Sequence, residues 1–304
     1  MRLERISGRL LSGYAALVYV FLFTPIAVVI LFSFNEGRHV AELTGLSFRW
    51  YEEAWTDQFV LRALRTSATI AVTSATLATF LGTSSALAMA TARPSVRRLF
   101  EQLTYIAIIV PGIVIGISTL ILMVTVFDWV NPILASFWPG KPPLLGLGSL
   151  TIIAAHTMFT TAVVNVLVRT RISGMDASLP EASSDLYATP WRTFRQVTLP
   201  QLLPAIIAGF LLAFTFSFDD FIVAFFTSGQ DQTLPIFLFA QIRRGVTPVV
   251  NAIATVLLVV TVVTLAAAWL VGTRRNRRPC PVRTRPDRGC PTSRTCAPVS
   301  RSAG

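Results

Sequence analysis

Two adjacent aspartates within an apolar segment, Asp219 and Asp220, are the residues of this sequence best suited to chemistry inside a membrane. A charged side chain at mid-membrane costs roughly 2.5–3.5 kcal/mol on insertion scales, so their helix should turn them away from lipid. On a continuous helix they lie about 100° apart and flank Phe216. Carboxylates favour a cation, and an aromatic ring adds cation–π attraction. The pattern therefore predicts a translocation pathway lined by Asp219, Asp220 and Phe216.

A structural role for the two aspartates is the alternative. They could pair with Arg243 or Arg244, or hydrogen-bond a loop at the outer membrane surface. A stripe on the other side of the same helix is predicted to pack against lipid or other helices, and it consists of Phe210, Phe214, Phe218, Phe221 and Phe225. The residue types alone leave both interpretations open.

The other reactive side chains form no catalytic constellation in the sequence. His156 lies in an apolar segment and is expected to hydrogen-bond across helices rather than relay protons, while His39 lies in a polar loop. Cys280, Cys290 and Cys296 lack the CxxC spacing of a zinc site. No glycine-rich loop ending in Lys-Ser or Lys-Thr is present, so ATP hydrolysis by the usual route is not expected. We expect no enzyme activity, metal or cofactor.

The polar segment 178–200 separates two long apolar segments and contains two helix starts. Ser178 is predicted to be an N-cap that forms a capping box with Glu181. Thr189-Pro190 is predicted to begin a second helix, because proline is favoured in the first turn, where its missing N–H costs nothing. The segment is therefore predicted to be a short helix–turn–helix between two membrane spans.

Composition and hydropathy place the chain in a membrane. Hydrophobic residues make up 53% and charged residues 13% of its 304 residues, and the mean hydropathy is +0.63. Its apolar runs are continuous and long enough to cross a hydrocarbon core of ~30 Å, which indicates helices rather than barrel strands. We predict an all-α integral membrane protein with six transmembrane helices, at 11–34, 64–90, 103–127, 147–168, 202–226 and 248–271.

Small residues recur along the second predicted span and should allow neighbouring helices to approach closely. A kink is expected in the third span near Pro111. Residues 128–146 contain four prolines and are predicted to form turns. Trp50, Tyr51 and Trp55 are predicted to lie in the membrane interface.

Basic residues predict the orientation of the chain. Nineteen of its 26 Lys and Arg residues lie in residues 1–10, in the loops 91–102 and 169–201, and in the C-terminal tail. The positive-inside rule then places both termini in the cytoplasm. Without the tail, ten Lys and Arg residues still lie on the predicted cytoplasmic side and seven on the opposite side. Residues 274–304 are predicted to be a disordered, basic cytoplasmic tail. Because this tail carries most of the net charge of +11, the high pI does not indicate a nucleic-acid partner.

The segment 178–200 resembles the loop by which the membrane subunits of bacterial ABC importers dock onto their ATPase. The family pattern is Glu-Ala-Ala, three residues, Gly, and Leu-Pro further on. The corresponding residues here are Glu181, Ala182, Ser183, Tyr187, Ala188, Leu199 and Pro200. Tyr187 stands at the position of the family glycine, which permits close approach of the backbone to a partner.

The resemblance extends from about Arg65 to Val271. It includes SFDDFIVAFFTSG at 217–229, TLPIFLF at 233–239 and GVTPVVNAIATVLL at 245–258. These segments are similar to the spermidine/putrescine ABC permease family, and in particular to its second permease subunit.

That similarity implies a type I ABC importer permease fold with a MetI-like core, in the plasma membrane of a bacterium. It also implies a second permease subunit, cytoplasmic ATPases and an extracytoplasmic binding protein as partners. A permease for ferric iron or an anion is the alternative within this class. An ion-coupled transporter or channel that uses the aspartates is the alternative outside it, and the docking loop argues against that reading.

Overall fold

The computed structural model describes residues 2–37, 42, 44–138, 144–176, 178–245 and 247–276, with side chains from residue 11 to residue 263. Most of these residues are helical. The helices are α1 Arg2–Ser33, α2 Arg49–Thr56, α3 Gln58–Ala90, α4 Pro94–Ile109, α5 Gly112–Phe137, α6 Ser149–Ser173, α7 Ser178–Asp185, α8 Pro190–Thr193, α9 Leu199–Asp219, α10 Ile222–Thr227, α11 Leu234–Arg244 and α12 Pro248–Asn276.

Five of these segments are long and apolar enough to cross a membrane. They are Leu11–Ser33, Gln58–Ala90, Gly112–Phe137, Ser149–Ser173 and Pro190–Asp219. The sixth predicted span falls on α12, whose described side chains form a shorter apolar helix, Pro248–Val263. The chain divides into two units, Met1–Thr255 and Val256–Gly304, and α12 beyond Thr255 belongs to the second.

The core of the first unit is built where α3, α6 and α9 pack together. As predicted, small residues of α3 form the contact surface, and the buried ones are Ala71, Ser74, Ala75, Ala78, Gly82 and Ala86. A methyl group at Gly82 would lie 2.8 Å from Cβ of Val164 in α6, so α3 and α6 meet almost backbone to backbone. Close approach of this kind compensates for the lack of a hydrophobic driving force between helices in lipid.

The third predicted span, 103–127, is wrong in its boundaries. The chain leaves the helical conformation at Val110 and Pro111, so α4 and α5 are separate helices rather than one kinked helix. Proline disfavours a helical residue before it, which accounts for the break. Helix α5 then runs through Pro132 to Phe137, so residues 128–137 are helical and not turns. The remaining prolines of that segment lie in 139–143, outside the described residues.

Two of the three aromatic residues expected in an interfacial belt contact the chain at the end of α1. Trp50 is buried, and its indole N–H donates to the carbonyl of Asn35 at 2.6 Å. The hydroxyl of Tyr51 lies 2.7 Å from Oγ of Ser33, the last residue of α1. Helix α2 therefore anchors the end of α1, and only Trp55 remains exposed.

The C-terminal prediction lies mostly outside the described residues. Helix α12 continues to Asn276, so residues 274–276, which were predicted to belong to the disordered tail, are helical. Residues 277–304, with all three cysteines, lie outside the described part of the chain, as does His39.

Candidate translocation and coupling sites

The predicted fifth span, 202–226, is not one helix. Helix α9 ends at Asp219, Asp220 adopts an extended conformation with φ −70° and ψ 120°, and α10 begins at Ile222. Phe221 and Phe225 therefore do not continue the predicted stripe of phenylalanines. The two aspartates lie at this break, where helical geometry no longer fixes the angle between them.

Asp220 lies against His156 of α6. Its Oδ2 is 3.3 Å from His156 Nε2 and accepts a hydrogen bond from the backbone N–H of Ala224 at 3.0 Å. The His156 side chain is 2% exposed and the Asp220 side chain 22%. The suggested partners Arg243 and Arg244 are therefore wrong for Asp220, because the side chain that lies against its carboxylate is a histidine on another helix.

Serine hydroxyls extend this contact into the centre of the bundle. His156 Nδ1 is 2.8 Å from Oγ of Ser217, and that oxygen is 2.8 Å from Oγ of Ser74 in α3. All three side chains are buried. The order Ser-His-Asp is that of some hydrolases, but a buried serine already bonded to a second serine gives no room for a substrate. The row joins α3, α6 and α9, as expected for a histidine that bonds across helices.

Asp219 and Phe216 remain open to their surroundings. The Asp219 side chain is exposed, and within the described part of the chain its carboxylate makes no hydrogen bond or ion pair. The Phe216 ring is also exposed and meets Phe159 of α6 edge-on, with ring centroids 5.9 Å apart. The three residues predicted together thus occupy two environments.

The predicted capping box at Ser178 is not formed as expected. Ser178 is the first residue of α7 rather than the residue before it, and its backbone N–H donates to Asp176 Oδ1 at 3.0 Å. This hydrogen bond lowers the pKa of the Asp176 carboxyl from its usual value. Glu181 is exposed in the first turn of α7, where a carboxylate complements the partial positive charge of a helix N-terminus.

Helix α7 ends in a Schellman motif centred on Tyr187. The N–H of Tyr187 donates to the carbonyl of Ser184 at 2.9 Å, and the N–H of Ala188 donates to that of Ser183 at 3.2 Å. This motif requires a left-handed residue, which is usually glycine. Tyr187 fills the position with φ +57°, and its side chain is 96% exposed. The glycine of the family pattern therefore corresponds to a backbone requirement of the turn.

The second helix of the segment begins at Pro190 with Thr189 as N-cap, as predicted. It is not short, however, because α8, a π-helical turn Phe194–Thr198 and α9 form one continuous rod. Pro200 explains the π turn, since proline has no N–H and its ring collides with the carbonyl four residues earlier. The wider turn, in which the Leu199 N–H bonds to the carbonyl of Phe194, makes room for it.

Side-chain bonds hold α7 against this rod. Ser183 Oγ lies 2.9 Å from Thr193 Oγ1, and Arg171 Nε at the end of α6 donates to the carbonyl of Gln201 at 3.2 Å. Between α7 and the rod is an open groove of about 490 Å³, and it is lined by Leu179, Ala182, Ser183, Leu186, Ala188, Arg192, Gln196 and Val197. Of the matched positions, Ala182, Ser183 and Ala188 line this groove, and Glu181 and Tyr187 are exposed on the same segment.

A three-residue ion cluster links α4 to α6 on the same side. Glu101 Oε1 is 2.6 Å from an Arg169 guanidinium nitrogen and 2.9 Å from Arg97 Nε. The hydrogen bond from Arg97, with the nearby Arg169 charge, lowers the pKa of Glu101. From the sequence, Arg97 and Arg169 were counted only as basic residues of cytoplasmic loops, and the pairing of both with Glu101 was not predicted.

The contact of His156 with Asp220 and the hydrogen bonds of Ser217 to His156 and Ser74 were not predicted from the sequence. One signal was available: each is a polar residue in an otherwise apolar span. Their meeting depends on the angles at which α3, α6 and α9 pack, which the sequence does not state.

The family whose profile matches the chain is described as "Binding-protein-dependent transport system inner membrane component", and the match covers residues 78–276. The chain is 36% identical over 262 residues to the putrescine transport system permease protein PotI of Escherichia coli K12, covering 86% of this chain and 89% of that protein. It is 33% identical to the spermidine/putrescine transport system permease protein PotC of Haemophilus influenzae, covering 87% and 96%. The resemblance seen in the sequence is thereby confirmed.

Solved structures support the same fold. The chain superposes with a TM-score of 0.67 on a bacterial ABC transporter involved in the import of the acidic polysaccharide alginate, at 14% identity, covering 91% of this chain and 100% of that chain. A complex of an alginate transporter with a periplasmic protein bound to alginate pentasaccharide gives 0.66 at 13% identity, covering 90% and 96%. The solved structures show the shared fold, and the profile match over residues 78–276 with the relatives at 36% and 33% identity shows that the chain belongs to the family of binding-protein-dependent transport system inner membrane components.

Proposed function

We propose that this chain is a permease subunit of an ABC importer for polyamines such as putrescine and spermidine. The observation that carries the proposal is the 36% identity to the PotI putrescine permease over 86% of the chain. A binding protein outside the membrane would deliver the cargo, a second permease subunit would complete the pathway, and a separate ATPase would hydrolyse ATP. No cofactor is required of this chain.

The break between α9 and α10 supports a cationic cargo. Asp219 presents a carboxylate at the end of a membrane-spanning helix, and among the described residues it has no hydrogen-bond or ion-pair partner. An intramembrane charge is costly, and it is retained where it serves a pathway or a partner. Polyamines carry several ammonium groups that such a carboxylate attracts, and the exposed ring of Phe216 adds cation–π attraction.

We further propose that the segment 178–200 docks onto the ATPase. Leu186, Tyr187 and Trp191 expose large apolar side chains in this otherwise polar segment. Exposed apolar residues around a groove are typical of a protein interface. Because α8 continues through the π turn into α9, a push on this segment would be transmitted along a rigid rod of 30 residues to Asp219.

The cargo assignment is tested in proteoliposomes that contain the permease pair, the ATPase and the binding protein, with radiolabelled putrescine. Asp219→Asn removes the charge at constant size, and Asp219→Glu keeps it. We expect Asn to reduce uptake about tenfold or more and Glu to retain most of it, as expected for loss of an interaction with a charged group. Uptake that is indifferent to both changes would exclude Asp219 from the pathway, and uptake of an anionic oligosaccharide instead would refute the polyamine assignment.

The docking proposal is tested by Glu181→Ala in the same preparation. We expect loss of cargo-stimulated ATP hydrolysis with normal insertion and abundance of the permease. Asp185→Ala is the matched control, because it removes another exposed carboxylate from the same helix. Stimulated hydrolysis that survives Glu181→Ala, or that is lost equally in the control, would contradict a specific role for Glu181.

A further inference from the structure

His156 is a buried titratable group that the proposed pathway does not use. Its ring lies between Ser217 Oγ, 2.8 Å from Nδ1, and Asp220 Oδ2, 3.3 Å from Nε2. In the described part of the chain Nε2 makes no well-directed hydrogen bond and has this carboxylate as its nearby charged partner. A nitrogen this deeply buried requires a partner, since an unsatisfied buried polar group costs about 1–3 kcal/mol.

The geometry selects one direction for the row of hydrogen bonds. A neutral histidine carries one N–H, and a lone pair at Nε2 would be repelled by the carboxylate. The favoured tautomer therefore carries its proton on Nε2, 3.3 Å from the Asp220 carboxylate, and Nδ1 accepts from the hydroxyl of Ser217. Ser217 is then free to accept from Ser74, 2.8 Å away in α3. In this arrangement Ser217 donates to His156, while the Ser74 hydroxyl also lies 3.3 Å from the carbonyl of Ala71 as a second acceptor.

Asp220 also receives the backbone N–H of Ala224 across the break, 3.0 Å from Oδ2. The same oxygen thus faces α6 and the first turn of α10. Asp219, its neighbour in sequence, is exposed and makes no such contacts among the described residues. Two adjacent carboxylates thus have different surroundings, one built into the helix packing and the other open.

We propose that His156 is a positioning residue, which holds Asp220 across the α9–α10 break so that Asp219 alone presents its carboxylate to the cargo. This inference rests on the proposed cation pathway. In this proposal Asp220 maintains the conformation of the α9–α10 break. The buried histidine affects transport through Asp220 and does not contact the cargo.

Two amide substitutions separate the contacts of the ring, because the amide of Gln overlays Nε2 and that of Asn overlays Nδ1. His156→Gln keeps a donor toward Asp220, whereas His156→Asn keeps a group near Ser217 only. In proteoliposomes with the complete transporter and radiolabelled putrescine, we expect Gln to retain at least half of the uptake and Asn to lose about tenfold, as for one hydrogen bond to a charged group. Thr157→Val is the matched control, since this neighbouring buried hydroxyl has no partner in the described part of the chain.

A cycle with Asp220→Asn completes the test. If His156 acts through Asp220, adding His156→Asn to Asp220→Asn causes no further loss of uptake. Three results would each overturn the proposal. The Gln and Asn variants could have equal uptake, the Asn variant could retain uptake while the Gln variant loses it, or the losses could add in the double variant. Failure of the cation pathway itself is recognised separately, because Asp219→Asn would then leave uptake unchanged whatever the His156 variants do.

Discussion

Replacing Tyr187 with glycine should stabilise the turn that ends α7. Tyr187 has φ +57°, a left-handed conformation that costs an L-residue roughly 1–2 kcal/mol. Glycine avoids this cost but loses about 0.5–1 kcal/mol more backbone entropy on folding. The difference leaves about 0.5–1 kcal/mol in favour of glycine, which corresponds to an opening equilibrium about two- to fivefold smaller.

Hydrogen exchange at Ala188 measures this change directly. Its N–H donates to the carbonyl of Ser183 at 3.2 Å, and this bond breaks when the Schellman motif opens. After correction for intrinsic rates, Tyr187→Gly should exchange about two- to fivefold more slowly than wild type. Tyr187→Ala is the control, because it removes the exposed ring and keeps the left-handed strain, so its exchange should stay near that of wild type.

Two results would refute this reasoning. Exchange in the glycine variant that is no slower than in wild type would show that strain at Tyr187 is not limiting. Equal slowing in the alanine variant would assign the effect to the ring rather than to the backbone. We also expect Tyr187→Gly to keep cargo-stimulated ATP hydrolysis, because the turn that presents Glu181 is retained.

Three further predictions follow from contacts elsewhere in the chain. Gly229→Ala should destabilise the protein by more than about 2 kcal/mol in a thermal-unfolding assay, because φ is +58° and the new methyl group would collide with the carbonyl of Leu147. Gly146→Ala is the control and should be near neutral, because the space around Gly146 is open. The lowered pKa of Glu101 means that its ion pairs stabilise the fold above the ordinary pKa of a glutamate and are lost as the pH falls through the lowered value. The difference in Tm between wild type and Glu101→Gln should therefore shrink in acid. A difference that stays constant with pH would contradict this. A stop after Asn276, which leaves α12 complete, should preserve putrescine uptake, and lost uptake at normal membrane abundance would assign a role to the tail.

Several features that depend on local sequence were predicted correctly, although the capping box at Ser178 was not. The start of α8 at Thr189-Pro190 follows from the fixed φ of proline and its missing N–H. The small residues of α3 pack in the core because only side chains of that size allow close helix contact. The membrane class followed from apolar runs of sufficient length.

The errors arose where a continuous apolar run was taken for a continuous helix. Hydropathy reports which residues avoid water, but it does not report where the backbone leaves the helical conformation. The breaks at Val110 and Asp220 therefore lay hidden inside predicted spans. Pro132 caused the opposite error, because its segment was predicted to form turns and α5 instead continues through it. A proline inside a membrane helix is tolerated where neighbouring groups satisfy the freed carbonyl.

The sequence by itself determined that the chain is an all-helical membrane protein and that Asp219 and Asp220 lie within an apolar segment, and it predicted a docking role for the segment 178–200. Tertiary structure alone decided that the two aspartates differ. Asp220 meets His156 across 64 residues of sequence because α6 and α9 pack side by side, while Asp219 faces outward from the end of α9. Such contacts depend on helix packing in three dimensions, and the order of residues along one helix does not encode which neighbour each residue will meet.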